Sequence, residues 1–404
     1  MRPSLFALLA LSSLPLPALH AQTTWFVDAG AVPPGIGTPT SPYASLQYAI
    51  DRPTTLDGDT VLAAPGTYVE SLLITKSITV KSSQGPLVTT ILATSGDDGV
   101  VLSGSLTATV LEGFTVTTTT QVSGVYGGPG TVRRCIVRDC TSLAGIECTT
   151  CRIESSTIIG NLEGIVGQPY GGTIELENSI AWGNAWGNVS PAGALFLPRY
   201  SAGFGSTSDG NVPGDPGLWD VASGNARLRP GSPCIDAGDP TSPLDPDGSR
   251  ADIGAIPYDA TYAPGPSVYC EGKLNSQGCV PSIGFSGSAS ASSATPFLVT
   301  ATNVVPHRRG FLFYGFAKDA QPFQGGTYCV LQPTRRTRGQ DSLGGPAPCT
   351  GAFSYDFNER IQSGADPFLV PGALVYAQYW YRDPADPSGF ASGLSDALCF
   401  GVAP

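Results

Sequence analysis

Leu111-Glu-Gly-Phe-Thr-Val116, Val132-Arg-Arg-Cys-Ile-Val137, Ile153-Glu-Ser-Ser-Thr-Ile158 and Leu176-Glu-Asn-Ser-Ile-Ala181 are variants of one six-residue pattern. Their first residues stand at 111, 132, 153 and 176, so the pattern recurs at steps of 21, 21 and 23 residues. A period of that size marks a solenoid in which each repeat forms one coil. Each unit is apolar at its first and sixth positions and mostly small or apolar at its fourth, with polar residues and turns between. One coil cannot bury such a face alone, whereas stacked coils share a continuous core. Strands joined in this repeating sense form parallel sheets with neighbours about 4.8 Å apart. The register then places Leu111, Val132, Ile153 and Leu176 inside, and Glu112, Arg133, Glu154 and Glu177 on one outer face.

Working outward, Leu72-Leu-Ile74, Ile78-Thr-Val80, Ile91-Leu92 and Val100-Val-Leu102 read as less regular initial coils. The end of a stack needs a cover. Residues 41–51 carry apolar side chains at Tyr43, Leu46, Ala49 and Ile50, a helical spacing that predicts a cap helix with Ser41 as its N-cap. Asn161 and Asn184 share the ninth position of their coils, with Cys140 there one coil earlier, which predicts a structural ladder of turn amides.

Composition bounds the class. Arg2, the apolar run Leu5 to Leu14 and Ala21 ahead of Gln22 read as a signal peptide over residues 1–21. No other segment has the roughly 18 apolar residues of a membrane span. Gly 51, Pro 36 and only 13% charged residues indicate short strands and many turns, hence an all-β chain. A net charge of -11 argues against nucleic acid or an anionic membrane as partner. The exception, Arg335-Arg336-Thr337-Arg338, reads as a solvated loop. Once His20 leaves with the signal, His307 is the sole histidine, which excludes multi-histidine zinc sites within one subunit.

Trp25-Phe-Val-Asp-Ala-Gly30, the cap segment, and Gly58-Asp-Thr-Val-Leu-Ala-Ala-Pro-Gly-Thr-Tyr68 resemble the opening of secreted bacterial right-handed parallel β-helix proteins of the pectate-lyase-like superfamily. Gly231-Ser-Pro-Cys-Ile-Asp-Ala-Gly238 with Arg250-Ala-Asp-Ile-Gly-Ala-Ile256 is similar to their choice-of-anchor closing segment. The resemblance spans residues 25 to about 258 and implies a right-handed parallel β-helix over residues 22–260. It leaves function open, because the superfamily mixes enzymes with surface and structural proteins. Its lyases use arginine or lysine beside calcium-bound aspartates, and its hydrolases pair aspartates with a Gly-His-Gly motif. The second pattern is absent, and Arg227-Leu-Arg229-Pro is only part of an Arg-x-Pro-x-x-Arg lyase motif.

From Gly265 the texture changes. Phe297-Leu-Val-Thr-Ala301, Gly310-Phe-Leu-Phe-Tyr314, Tyr328-Cys-Val-Leu331 and the run Leu374 to Tyr381 predict a small antiparallel β-sandwich over residues 261–404. Tyr269-Cys270, Pro322-Phe-Gln-Gly-Gly326, Tyr379-Trp-Tyr-Arg-Asp-Pro384 and Leu394-Ser-Asp-Ala397 resemble a C-terminal module of exported proteins from environmental bacteria, one that implies no established activity. Tyr376, Gln378 and Trp380 share one strand face and Ala377, Tyr379 and Tyr381 the other; an exposed row would make a carbohydrate platform, a covered one a core.

Three clusters carry potential chemistry. Glu112, Arg133, Glu154 and Glu177 are the catalytic candidates, read either as an acidic-sugar or calcium site or as an ion-pair ladder, the favoured reading. Asp236, Asp239, Asp245, Asp247 and Asp252 lie in a glycine-rich stretch that suits calcium by oxygen count, against a turn-rich cap over the last coil. Cys135, Cys140, Cys148 and Cys151 suit zinc by spacing, but ten cysteines in an exported chain favour disulfides, and Cys135 reads as a buried thiol. The resulting expectation is an exported, non-catalytic cell-surface or extracellular matrix rod that contacts polysaccharide or cell-envelope components. The alternative is a lyase acting on acidic polysaccharide.

Overall fold

The computed structural model describes residues 21–103, 108–120 and 122–404; residues 1–20 of the expected signal peptide, with His20, lie outside them. The repeat region forms a parallel β-solenoid of three sheets. The first sheet stacks Thr24–Val27, Thr60–Ala63, Thr79–Ser82, Val110–Glu112, Thr131–Arg133, Cys151–Glu154, Thr173–Glu177 and Leu195–Arg199. The second runs from Gly66–Tyr68 to Ile180–Trp182 and the third from Leu72–Ile74 to Gly187–Ser190, each with six strands. Leu111, Val132, Ile153 and Leu176 pair in register and are at most 1% exposed, so the expected inner column is the observed one.

The corner between the first and second sheets explains the hexapeptide. Its third residue takes a left-handed φ in every coil: Gly113 at 79°, Arg134 at 50°, Ser155 at 43° and Asn178 at 49°. That conformation turns the chain within two residues. Its fourth residue then points inward and builds a hydroxyl ladder, in which Ser156, Ser179 and Ser201 Oγ accept the backbone N–H of Cys135, Ser156 and Ser179. The expected amide ladder forms at the next corner, where Asn161 Oδ1 accepts Cys140 N–H at 3.0 Å and Asn184 Oδ1 accepts Asn161 N–H at 3.0 Å.

The cap helix is shorter than expected. It spans Leu46–Asp51 with Ser45 as N-cap, its hydroxyl accepting Tyr48 N–H at 3.1 Å. Tyr43 is instead drawn into extended pairing: it donates to the Phe26 carbonyl at 2.9 Å, and its own carbonyl accepts Asp28 N–H at 2.8 Å. Leu46, Ala49 and Ile50 are buried as the spacing required.

The C-terminal region packs two antiparallel sheets face to face. One contains Ser267–Tyr269, Ser392–Gly401, Leu374–Arg382, Arg309–Gly315 and the short strands Arg335–Arg336 and Gln340–Asp341; the other contains Ser282–Ser286, Leu298–Val304 and Gly351–Asp356. Val299, Leu312, Phe353, Tyr379 and Phe400 fill the space between. A hairpin of Lys318–Phe323 and Gly326–Val330 joins a second apolar cluster with Phe313, Tyr376 and Leu394. Neither row of the Tyr376 strand presents an exposed set of aromatic faces: Gln378, Tyr379 and Tyr381 are 0% exposed and Tyr376 6%, while Trp380 is half-buried and stacked on Phe311. The strand therefore lacks the exposed aromatic row that a carbohydrate platform needs.

Cysteine pairing corrects the zinc alternative. Cys148 bonds Cys151, Cys270 bonds Cys329 and Cys279 bonds Cys349, while Cys135, Cys140 and Cys234 are buried free thiols and Cys399 a half-buried one. Burial pushes the Cys135 and Cys140 thiols up to about 12, which keeps them protonated and unreactive.

Candidate functional site

One outward column of the first sheet reads Lys81, Glu112, Arg133, Glu154, Glu177 and Arg199 from strand to strand. Lys81 Nζ lies 3.0 Å from Glu112 Oε1 and Arg133 Nη1 3.7 Å from Glu112 Oε2. Arg133 Nε donates to Glu154 Oε2 at 2.6 Å. Glu154 and Glu177 are like charges in register, a repulsive placement. Arg152, two residues before Glu154 and so on the same face, pairs with Glu154 and donates to Glu177 Oε2 at 3.2 Å. Lys81 and Arg199 complete the column and Arg152 braces it from the neighbouring position on the same face; all three were missed in sequence. Lys81 lies one residue past the run that ended at Val80, and Arg152 precedes the aligned hexapeptide by one residue.

The closing segment folds back beside this column. Residues 242–246 and 254–257, with Ala251 and Asp252, face Glu112, Arg133, Glu154 and Glu177 across a groove of about 820 Å³ that Ser82 to Leu87 close at one end. The fold thus brings two separate sets of candidates together, with Asp245 and Asp252 on the wall opposite the ladder. Its lining holds Lys81, Arg133 and Arg134 against Glu112, Glu154, Glu177, Asp245 and Asp252, so carboxylates outnumber cations five to three.

Four of the five aspartates, Asp239, Asp245, Asp247 and Asp252, engage backbone N–H groups through their carboxylates, and the fifth, Asp236, enters through its own N–H. Asp252 accepts the N–H of Asp236 at 2.7 Å and of Tyr258 at 2.5 Å, and Asp245 Oδ2 accepts Asp252 N–H at 2.7 Å. Asp247 Oδ1 accepts Ser249 N–H at 2.9 Å. Asp239 Oδ1 takes both Thr241 donors at 2.7 Å, and its Oδ2 receives Arg199 at 3.3 Å. Among the described residues no group of three or more Asp, Glu, His or Cys is placed to hold a metal ion.

Burial, then the nearby charges of Asp252 and Asp247, push the Asp245 carboxyl up to about 6 from 3.8. A folded value above the unfolded one means that the fold holds this proton tightly. The associated stability is present below about pH 3.8 and is lost as pH rises through about 6. Asp245→Asn keeps an acceptor for Asp252 N–H and removes the charge. It is expected to raise Tm at about pH 7 and leave it unchanged near pH 4, where the aspartate is already neutral. Thermal melts of both proteins at the two pH values check this.

The fold and flank define an all-β protein whose parallel solenoid carries an ion-paired column beside a groove. The chain matches no protein-family profile. It is 39% identical over 46 residues to a cell surface glycoprotein of Methanothermus fervidus, a match that covers 11% of this chain and 8% of that protein. The chain therefore spans only a small part of that relative. Among solved structures, the crystal structure of pectate lyase Pel9A aligns with 60% of this chain and 98% of its own, at 16% identity and a TM-score of 0.34. No helix among the described residues is long and apolar enough to cross a membrane.

Proposed function

We propose that the protein is an exported, non-catalytic surface or matrix component of the pectate-lyase-like superfamily, with residues 1–21 as its export signal. Residues 22–260 form a rigid right-handed rod whose grooved flank contacts glycans, and residues 261–404 form an appended sandwich. The observation that carries this reading is the closure of the charge ladder upon itself. Arg133 is held between Glu112 and Glu154, and Arg152 between Glu154 and Glu177, so the side chains best placed for chemistry are bound to one another. The excess of carboxylates in the groove favours neutral or amino sugars over polyuronates. Three disulfides and the partial match to a cell surface glycoprotein support an extracellular setting.

The second reading, an acidic-polysaccharide lyase, draws on the groove itself, where Arg133 faces a wall bearing an aspartate with a raised pKa. Calcium belongs to this reading, and would have to draw Asp245 and Asp252 away from the backbone amides they now accept. A screen of polyuronates for unsaturated products, with and without calcium, is expected to give none. Arg133→Ala should cost less than about 1 kcal/mol, since these pairs are partly exposed. Robust turnover that disappears in Arg133→Ala would overturn the non-catalytic reading.

A further inference from the structure

The basic run at 335–338 is not the solvated loop its composition suggested. Arg335–Arg336 is a short strand paired antiparallel with Phe313 and Tyr314. Each guanidinium of the run sits by an aromatic ring: Arg335 Cζ lies 4.8 Å from the Phe316 centroid and 5.0 Å from that of Phe368, Arg336 4.8 Å from Phe311, and Arg338 5.8 Å from Tyr355. A guanidinium seated on rings keeps its in-plane N–H groups for acceptors. Arg335 is fixed further by Asp366, whose Oδ2 lies 2.6 Å from Arg335 Nε and accepts Tyr314 O–H at 2.8 Å. Among the described residues, no acceptor is hydrogen-bonded to its two terminal nitrogens.

Arg335 lines a groove of about 580 Å³ at the junction of the two halves, together with Phe316, Phe368, Pro333, Pro371 and, from the solenoid side, Arg229 and Pro230. Phe368 is 60% exposed, an apolar surface that a folded chain does not need to present. Charge separates this groove from the flank groove. Residues 261–404 carry nine Lys/Arg and nine Asp/Glu, so the whole net charge of -11 lies in residues 1–260. Asp366, Asp383 and Asp386 of the C-terminal half are buried, which leaves its arginines prominent at the surface.

We propose that this junction groove binds an anionic polysaccharide. Sugar rings would lie on Phe316 and Phe368, and carboxylate or sulfate groups would meet the terminal nitrogens of Arg335 and the N–H groups of Arg229 left over from its exposed pair with Asp215, to which Nη2 donates at 3.0 Å. An acidic peptide is disfavoured because Pro230, Pro333 and Pro371 present no N–H for pairing with an added strand. The proposal needs the extracellular setting but not the glycan contact assigned to the solenoid flank.

Affinity electrophoresis of the full chain in gels containing alginate, dextran sulfate or dextran tests it. Retardation is expected with the two anionic polymers, not with dextran, and should fall as salt is added. Arg229→Gln and Phe368→Ala, both at exposed side chains, are each expected to weaken binding about tenfold with Tm unchanged, the equivalent of one charge-assisted contact. The proposal is overturned by wild-type retention in both variants, by equal retention in dextran, or by no retardation in either anionic gel. Competition by polyglutamate as strong as that by alginate would also overturn it, as would loss of binding in Arg133→Ala alone, which would move the site to the flank.

Discussion

Lys273→Met is expected to destabilise the C-terminal sandwich by about 3–5 kcal/mol, because it strands a buried carboxylate. Lys273 Nζ donates to Asp386 Oδ2 at 2.6 Å, to the Gln324 carbonyl at 2.6 Å and to the Ser392 carbonyl at 2.8 Å. The ammonium thus ties three separated segments together from a side chain only 4% exposed, and its partner carboxylate is 0% exposed. Burial works against the charge on Asp386, but hydrogen bonds from Lys273 and Ser388 outweigh it and hold the carboxyl down at about 2. A folded value below 3.8 means that this stability is present above pH 3.8 and is lost as pH falls through about 2. The double variant Lys273→Met with Asp386→Leu removes the stranded charge, so it should be less destabilised than the sum of the two single variants. Hydrogen exchange of Leu374–Arg382 and Ser392–Gly401 in the full chain reads the effect where it arises. Unchanged protection in Lys273→Met, or additivity in the cycle, would show that the pair does not carry this load.

The contrast between that pair and the solenoid shows which features were legible in sequence. Leu111, Val132, Ile153 and Leu176 could be placed because a parallel stack repeats one environment, so a single aligned position fixes a whole column. The same alignment placed Glu112, Arg133, Glu154 and Glu177 outside. It could not show that the closing segment folds back to put Asp245 and Asp252 opposite them, because that contact joins residues about a hundred positions apart with no repeated signal. The aspartates resembled a ligand set by composition; their backbone partners, such as Tyr258 N–H on Asp252, exist only once the loops are closed. Tyr376 to Tyr381 alternates as a strand must, but alternation cannot tell a solvated face from one covered by the 318–330 hairpin. Lys273 carries no local signal at all, since its acceptors lie at 324, 386 and 392. The cap helix was overextended because Tyr43 fits the apolar spacing of a helix, while its pairing with Phe26 and Asp28 is a contact made only in the closed fold.

The solenoid has a corresponding point of failure at Gly145. Gly99, Gly124, Gly145 and Gly164 each stand one place before Val100, Val125, Ile146 and Ile165, which pair in register, so the glycines stack as a column beside the amide ladder. Gly145 has no left-handed φ, and its requirement is one of space: a Cβ there would lie 2.6 Å from Asn161 Nδ2 and 2.8 Å from Ile158 Cγ2. Asn161 cannot yield freely. Its Oδ1 accepts Cys140 N–H at 3.0 Å, while its Nδ2 donates to the Val137 carbonyl at 3.1 Å and to Asn184 Oδ1 at 3.0 Å. Gly145→Val should therefore cost about 3 kcal/mol or more, combining overpacking with polar groups left without partners. Because coils are coupled only to their neighbours, the loss should appear first as hydrogen exchange in Ile136–Arg138 and Thr157–Ile159. Gly145→Ala and Asn161→Ala supply the decisive cycle. The alanine methyl at 145 occupies space that the shortened side chain at 161 vacates, so the double variant should be more stable than the sum of the single losses by about 1 kcal/mol or more. Additive losses in urea denaturation would mean that the glycine column and the amide ladder are independent, and that the tight packing between them does not set the spacing of the coils.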